Sequence, residues 1–203
     1  MSNSTKERIL AVSREILIES GPAALTFDAI AKRLGITRQA VIYWFASKQL
    51  LLRALVLPWI RAETETLIEA IASATSAQST IEKAVHALLR FHLEDLDRFR
   101  QMYLGIQLDP KPAKLIGRET LNQDIHPVTA RMYESLAESL SACSDFNSSI
   151  PARQAAVSLH FSVLGHCMMI GLAEAIEDPL AQPTSNLTKS LIEMLVNGVC
   201  RKG

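Results

Sequence analysis

Cysteine, aromatic residues and net charge are all scarce in this 203-residue chain. Its three cysteines, Cys143, Cys167 and Cys200, are an odd, scattered set with no Cys-x-x-Cys pair. That argues against a disulfide framework and a cysteine-based zinc site, and fits a reducing cytoplasm. Aromatic residues make up 5% of the chain against 48% apolar residues in all, so the core must be built on Leu, Ile, Val and Ala, as in helical proteins. Signatures of catalysis are missing too: there is no Gly-x-Ser-x-Gly elbow, no phosphate loop and no His-Glu-x-x-His. The spacing of the histidines gives no recognisable metal triad, so neither an enzyme, a metal nor a cofactor is expected. No internal repeat or low-complexity tract occurs, and the opening MSNSTKERIL enters an amphipathic helix at once, leaving no secretory signal. Charge is absent from residues 154–173, a run that approaches a membrane span in length. Ser158, His160, Ser162 and His166 interrupt it. A helix buried on most sides is the better reading, with no membrane role.

The zero net charge conceals an asymmetry. Residues 1–60 carry eight Lys/Arg against four Asp/Glu, and the remainder carries 13 against 17. A basic head on an acidic body suits a protein whose head alone meets phosphates. Within that head, residues 26–51 read as two short helices joined at Leu34-Gly35-Ile36, with a further helix beginning at Ser47. Thr26 and Thr37 stand where a hydroxyl can cap a helix start. Gly35 stands where a positive φ is needed. This is a helix-turn-helix, whose second helix is presented to the major groove of DNA.

Periodicity predicts helices everywhere else, so the fold class is all-α, with a DNA-binding domain over residues 1–47 and a larger helical domain over 48–203. A first helix covers residues 5–20 and closes at Gly21-Pro22. A long helix runs from Lys48 into the seventies on Leu51, Leu55, Trp59 and Leu67, with Pro58 as a kink or local break. Residues 74–79 read as a loop. Further helices are expected over residues 80–97, over 99–108 up to the Asp109-Pro110-Lys111-Pro112 stop, and from about Leu121 to Leu140 with a kink or true start at Pro127. The last two run from Pro151 to about Glu177 and from about Thr184 to Val199.

The N-terminal residues resemble the TetR family of bacterial transcriptional regulators. The likeness rests on residues 9–51, above all on the pattern G-I-T-x-x-A-V-x-x-x-F-x-S-K-x-x-L, here Gly35, Ile36, Thr37, Ala40, Val41, Phe45, Ser47, Lys48 and Leu51. Ile42 stands where the family usually has a phosphate-binding Tyr, Trp44 where it has His or Tyr, and Gln49 where an acidic residue is common. Tyr43 and the Trp44 indole remain as donors. The resemblance implies a dimer on a near-palindromic operator, a small-molecule effector bound in the helical body, and a cytoplasmic location. Arg38 and Gln39 are suited to guanine and adenine edges, and Ala40 to a thymine methyl. Thr26, Thr37, Tyr43, Trp44 and Lys48 are expected to position phosphates.

Two further surfaces follow. Ala155, Ser158, Ser162 and Gly165 form a stripe of small residues, expected to join Leu191, Leu195 and Val199 of the last helix in a two-fold interface. Phe91, Phe99, Met102, Tyr103, Met132, Phe161, Leu164 and Met168 are candidates to line the effector cavity, although an aromatic or Met at helical spacing is more often plain core. His92, on an otherwise apolar face, is either a ligand-orienting group or a satisfied core histidine. With few buried charges foreseen, the expected effector is hydrophobic or amphipathic. The rival to a small molecule is a protein partner that regulates the same DNA-binding head.

Overall fold

A computed structural model describes residues 3–104 and 117–201. The described residues are helical, apart from turns and one isolated antiparallel bridge between Phe146 and Cys200. Helix α1 spans Asn3–Ala24, with Gly21 in a non-helical conformation (φ 72°, ψ 178°) ahead of Pro22. The expected closure at Gly21-Pro22 is thus a sharp break, after which the chain makes one more helical turn. Helices α2 (Phe27–Leu34) and α3 (Arg38–Trp44) follow, then α4 (Lys48–Ile71) and α5 (Ala77–Leu93). Pro58 lies inside α4, which continues through it. A short α6 (Leu96–Phe99) passes into a π-type turn at Arg100–Leu104. The rest of the expected helix over 99–108, and its Asp109-Pro110 stop, lie outside the described residues. Residues 117–120 are helical and lead through a π-type stretch, Leu121–Ile125, into α7 (His126–Ser141). Pro127 therefore sits in the first turn of α7, where its missing N–H costs nothing. The last helices are α8 (Ala152–Ala175) and α9 (Thr184–Val199).

The backbone divides into two compact units, Met1–Arg61 with Asp97–Pro127, and Ala62–Leu96 with Val128–Gly203. In the first, α1 packs on α2 and α2 on α3. Ile9, Ile16, Leu25, Ile30, Val41, Phe45, Leu51 and Leu55 form its buried centre. Arg33 of α2 forms an ion pair with Glu19 of α1 and lies 3.7 Å from Glu15.

In the second unit α5 packs against both α8 and α9. Along α5 every third or fourth residue (Ile81, Val85, Leu88, His92) is buried, as its spacing demands. The helix begins at Ala77, three residues before the expected start, because Ser76 caps it: the Ser79 N–H donates to Ser76 Oγ at 3.0 Å. The Asp145 carboxylate adds a second cap, accepting from the Ala77 N–H at 2.8 Å and the Gln78 N–H at 3.2 Å. The same loop is tied to the end of α9, where Asn147 N–H donates to Val199 O at 2.9 Å and Arg201 N–H to Asp145 O at 2.8 Å.

The Ala77 N–H holds the Asp145 carboxyl below its ordinary range, against a smaller opposing effect of burial and with help from Gln78. Asp145→Ala should cost about 1 kcal/mol in thermal melts near neutral pH, the usual worth of a helix cap. A carboxyl lowered in the folded state stabilises above its unfolded value of about 3.9 and loses that contribution as pH falls through the lower folded value. The gap between wild type and variant should therefore close in strong acid. A gap that is constant with pH would mean that Asp145 acts through packing alone.

Candidate DNA-binding interface

The turn between α2 and α3 follows from three local choices. Gly35 takes the left-handed conformation (φ 64°, ψ 33°) that ends α2. Its N–H donates to Lys32 O and that of Ile36 to Ala31 O at 3.1 Å, which satisfies the last carbonyls of α2. Thr26 and Thr37 are both N-caps, each hydroxyl oxygen accepting at 3.1 Å from a backbone N–H three residues on, Ala29 and Ala40. On the inner face Val41 and Phe45 are buried with Ile30, and Leu34 packs against them. That contact fixes the rotation of α3 about its own axis and so decides which residues face outward.

Arg38, Gln39 and Tyr43 are exposed, Tyr43 at 81%. The Arg38 Nε lies 3.5 Å from Asp28 Oδ2, and both side chains are well exposed, so this pair is worth little and leaves the guanidinium available to a base edge. Ala40 and Ile42 are half-buried. Each capping threonine spends a lone pair of its hydroxyl on its helix, and the hydroxyl is also a donor. Trp44 is half-buried, packs against the core and meets Tyr43 edge to face at 5.4 Å. Its first job is therefore packing. The Lys48 ammonium donates to Pro22 O at 3.1 Å, tying the start of α4 to the loop ahead of α2. Ser47 caps α4, its Oγ accepting from the Leu50 N–H at 3.2 Å.

The residues nominated for an effector cavity divide. Phe99, Met102 and Tyr103 belong to the first unit, and Phe91, His92, Met132, Phe161, Leu164 and Met168 to the second. Phe99, Met102 and Met132 are buried; Phe91, Tyr103 and Leu164 are half-buried. Phe161 and Met168 do not fit the expectation: they are 62% and 40% exposed. At about 100° per residue, a helix whose inner face carries Leu159, His160, Val163 and Cys167 must turn 161 and 168 outward.

The same geometry revises the interface stripe. Ala155 and Leu191 are buried within the chain and have little surface left for a partner. Ser158 is exposed, while Ser162, Gly165, Leu195 and Val199 are half-exposed. Beside them Phe161, Met168, Met169 and Leu172 of α8 and Met194 of α9 are exposed apolar side chains that the small-residue pattern passed over. By length and composition α8 could cross a membrane. Its inward face, however, is occupied by packing on α5 and α9.

One buried cluster was not foreseen. Glu63 of α4 is 1% exposed, and its Oε1 lies 2.9 Å from His92 Nε2 of α5 and 2.9 Å from His160 Nε2 of α8. The Tyr133 hydroxyl lies 2.8 Å from His160 Nδ1. Burial alone would raise the Glu63 carboxyl; hydrogen bonds from His160 and His92, with the electrostatic attraction between these groups, outweigh it and hold the carboxyl down to about 2. Burial, then the Glu63 charge, pushes the Tyr133 phenol up to about 12. His92 is thus engaged with a carboxylate. A signal was available: Glu63 stands four residues after Trp59 and four before Leu67, on the apolar stripe of α4 itself.

Comparison with known proteins agrees with this architecture. Residues 9–55 match the family model described as bacterial regulatory proteins, tetR family. No curated protein matches the chain. Among solved structures, a TetR family transcription regulator from Marinobacter aquaeolei VT8 superposes with a TM-score of 0.70 at 12% identity, covering 99% of this chain and 98% of that one. The regulator FadR from Bacillus subtilis, in complex with stearoyl-CoA, gives 0.70 at 16% identity over 95% and 98%. The ketosteroid regulator KstR2 of Mycobacterium tuberculosis gives 0.66 at 12% identity over 98% and 97%. At these identities the likeness is one of fold.

Two substitutions separate reading from positioning. Arg38→Ala should cost about 1–3 kcal/mol on a specific site and relax its sequence preference. Lys48→Ala should weaken all DNA sequences alike and also lower the melting temperature, because Pro22 O loses its donor. Competition binding of both variants on specific and random duplexes checks this; equal losses on both duplexes for Arg38→Ala would remove it from the base-reading group.

Proposed function

For a chain whose residues 9–55 match the tetR family of bacterial regulatory proteins, we propose the role of a cytoplasmic transcriptional repressor that binds a near-palindromic operator as a dimer and is released by a small molecule. The observation that carries the DNA half is the exposed outer face of α3, where Arg38, Gln39 and Tyr43 project from a helix held by Val41 and Phe45. The N-terminal end of α3 enters the major groove, Arg38 and Gln39 read base edges, and Ala40 comes close enough to touch a thymine methyl. Thr26, Thr37, Tyr43 and Lys48 position phosphates, and Tyr43 supplies the donor that Ile42 lacks.

Dimerisation on α8 and α9 is favoured by the exposed apolar strip of Phe161, Met168, Leu172 and Met194 beside Ser158, Ser162 and Gly165. Such a strip is costly in water and apt for a two-fold contact. Two recognition helices then meet successive major grooves. The effector is hydrophobic or amphipathic, in keeping with the mostly apolar nominated lining and with the stearoyl-CoA named for the Bacillus subtilis relative of the same fold. Effector and operator affinities are linked reciprocally, typically by about 1–3 kcal/mol.

Selection of random DNA fragments on the purified protein at moderate salt should enrich one near-palindromic site. Enrichment of no site, with only general salt-sensitive binding, would overturn the operator reading. Ser162→Arg and Phe161→Glu should each shift the protein to monomer in sedimentation and weaken operator binding; a Phe161→Glu protein that stays dimeric would move the interface off α8.

A further inference from the structure

We propose that Glu63, His92 and His160 form a binding site for a divalent first-row transition-metal ion. The site stands apart from the DNA reading and would hold if no operator were found. Three donors from three helices converge: Glu63 Oε1 from α4, His92 Nε2 from α5 and His160 Nε2 from α8, all within 4.8 Å of one another. All three side chains are almost wholly buried, at 1%, 0% and 3% exposure. Each imidazole nitrogen is 2.9 Å from the carboxylate oxygen. Ligands bonded at about 2.1 Å on neighbouring positions of an ion lie roughly 3.0–3.4 Å apart; the two carboxylate–imidazole distances are already close to this, and the two imidazole nitrogens, within 4.8 Å of each other, would draw together around the ion.

The residue types point the same way. Two neutral imidazoles with one carboxylate suit Fe²⁺, Co²⁺, Ni²⁺ or Zn²⁺, and three protein ligands leave further positions for water or an oxygen ligand. Metal-bound histidines have their second nitrogen held by a polar partner, and Tyr133 does this for His160 at 2.8 Å from Nδ1. Burying a carboxylate and two imidazoles where α4 and α5 otherwise place apolar side chains is expensive, and a packed apolar core would often be at least as stable. A bound cation gives that outlay a use.

Metal and metal-free states demand opposite tautomers of His160. Without metal, Nε2–H donates to Glu63 and Nδ1 accepts from the Tyr133 hydroxyl. With metal, the Nε2 lone pair binds the ion, and Nδ1–H donates to the Tyr133 oxygen. The imidazole proton therefore moves from one ring nitrogen to the other on binding, and Glu63 exchanges its two imidazole hydrogen bonds for a metal bond.

The test uses the full chain stripped with a chelator and titrated with Co²⁺, followed by visible absorption, and with Zn²⁺ by calorimetry. A single ion per chain is expected, with binding lost in His160→Asn and weakened about 10–100-fold in Tyr133→Phe, the usual effect of removing an outer partner. Failure of the folded wild type to take up either ion, or equal uptake by a folded His160→Asn, would overturn the assignment. Should His160→Asn not fold, nitrogen-15 spectra of wild-type histidines decide: Zn²⁺ should move the His160 proton from Nε2 to Nδ1, and an unchanged tautomer would overturn the site.

Discussion

The second unit turns on one oxygen atom. Oε1 of Glu63 draws an imidazole from α5 and another from α8 to the same point, so these helices and the second half of α4 are fixed in rotation and height by a single carboxylate. Apolar packing alone tolerates sliding and rotation; hydrogen bonds to a buried charge do not. The low-dielectric surroundings sharpen this, because an ionised carboxylate left without its donors would be strongly penalised. Tyr133 extends the constraint to α7 through His160. Four helices thereby share one polar address inside a largely apolar interior.

The first unit is organised by the opposite means. Ile30, Val41 and Phe45 seat α3 by shape and burial, while Gly35 and the capping threonines dispose of the backbone groups that a sharp turn would orphan. Lys48 and Arg33 act at the edges, one on a backbone carbonyl and one on α1 carboxylates. The apolar residues that seat α3, Ile30, Val41 and Phe45, are buried and take no part in its outer face.

Those two modes explain what could be read from the residues beforehand. The turn at Gly35, the caps at Thr26 and Thr37 and the inward Val41 and Phe45 obey rules that act within about five residues, and each was legible. The start and stop of α9 were legible for the same reason. The orientation of α8 was not: its charge-free stretch is apolar almost all round, so periodicity could not say that Leu159 and Val163 turn inward while Phe161 and Met168 turn out. For that reason Ala155, on the small-residue stripe, was not expected to be buried within the chain. Glu63 escaped because a stripe was scored by its apolar members, so the carboxylate on it was passed over. Its partner His160 lies 97 residues away, a distance over which no local pattern operates.

That separation also bears on how the chain is made. The ribosome delivers α4 with its glutamate long before it delivers α8, and the loop holding the cap of α5 closes against residues 199–201 later still. Contacts of such long range form slowly. Until α8 emerges the carboxylate has only the His92 imidazole of α5 to meet, and the side that later receives His160 must stay hydrated. The helical unit is therefore bound to fold late and as a whole, whereas the residues that seat α3 can assemble as soon as the first few dozen have emerged. A nascent chain would carry a formed α3 well before its second unit is complete.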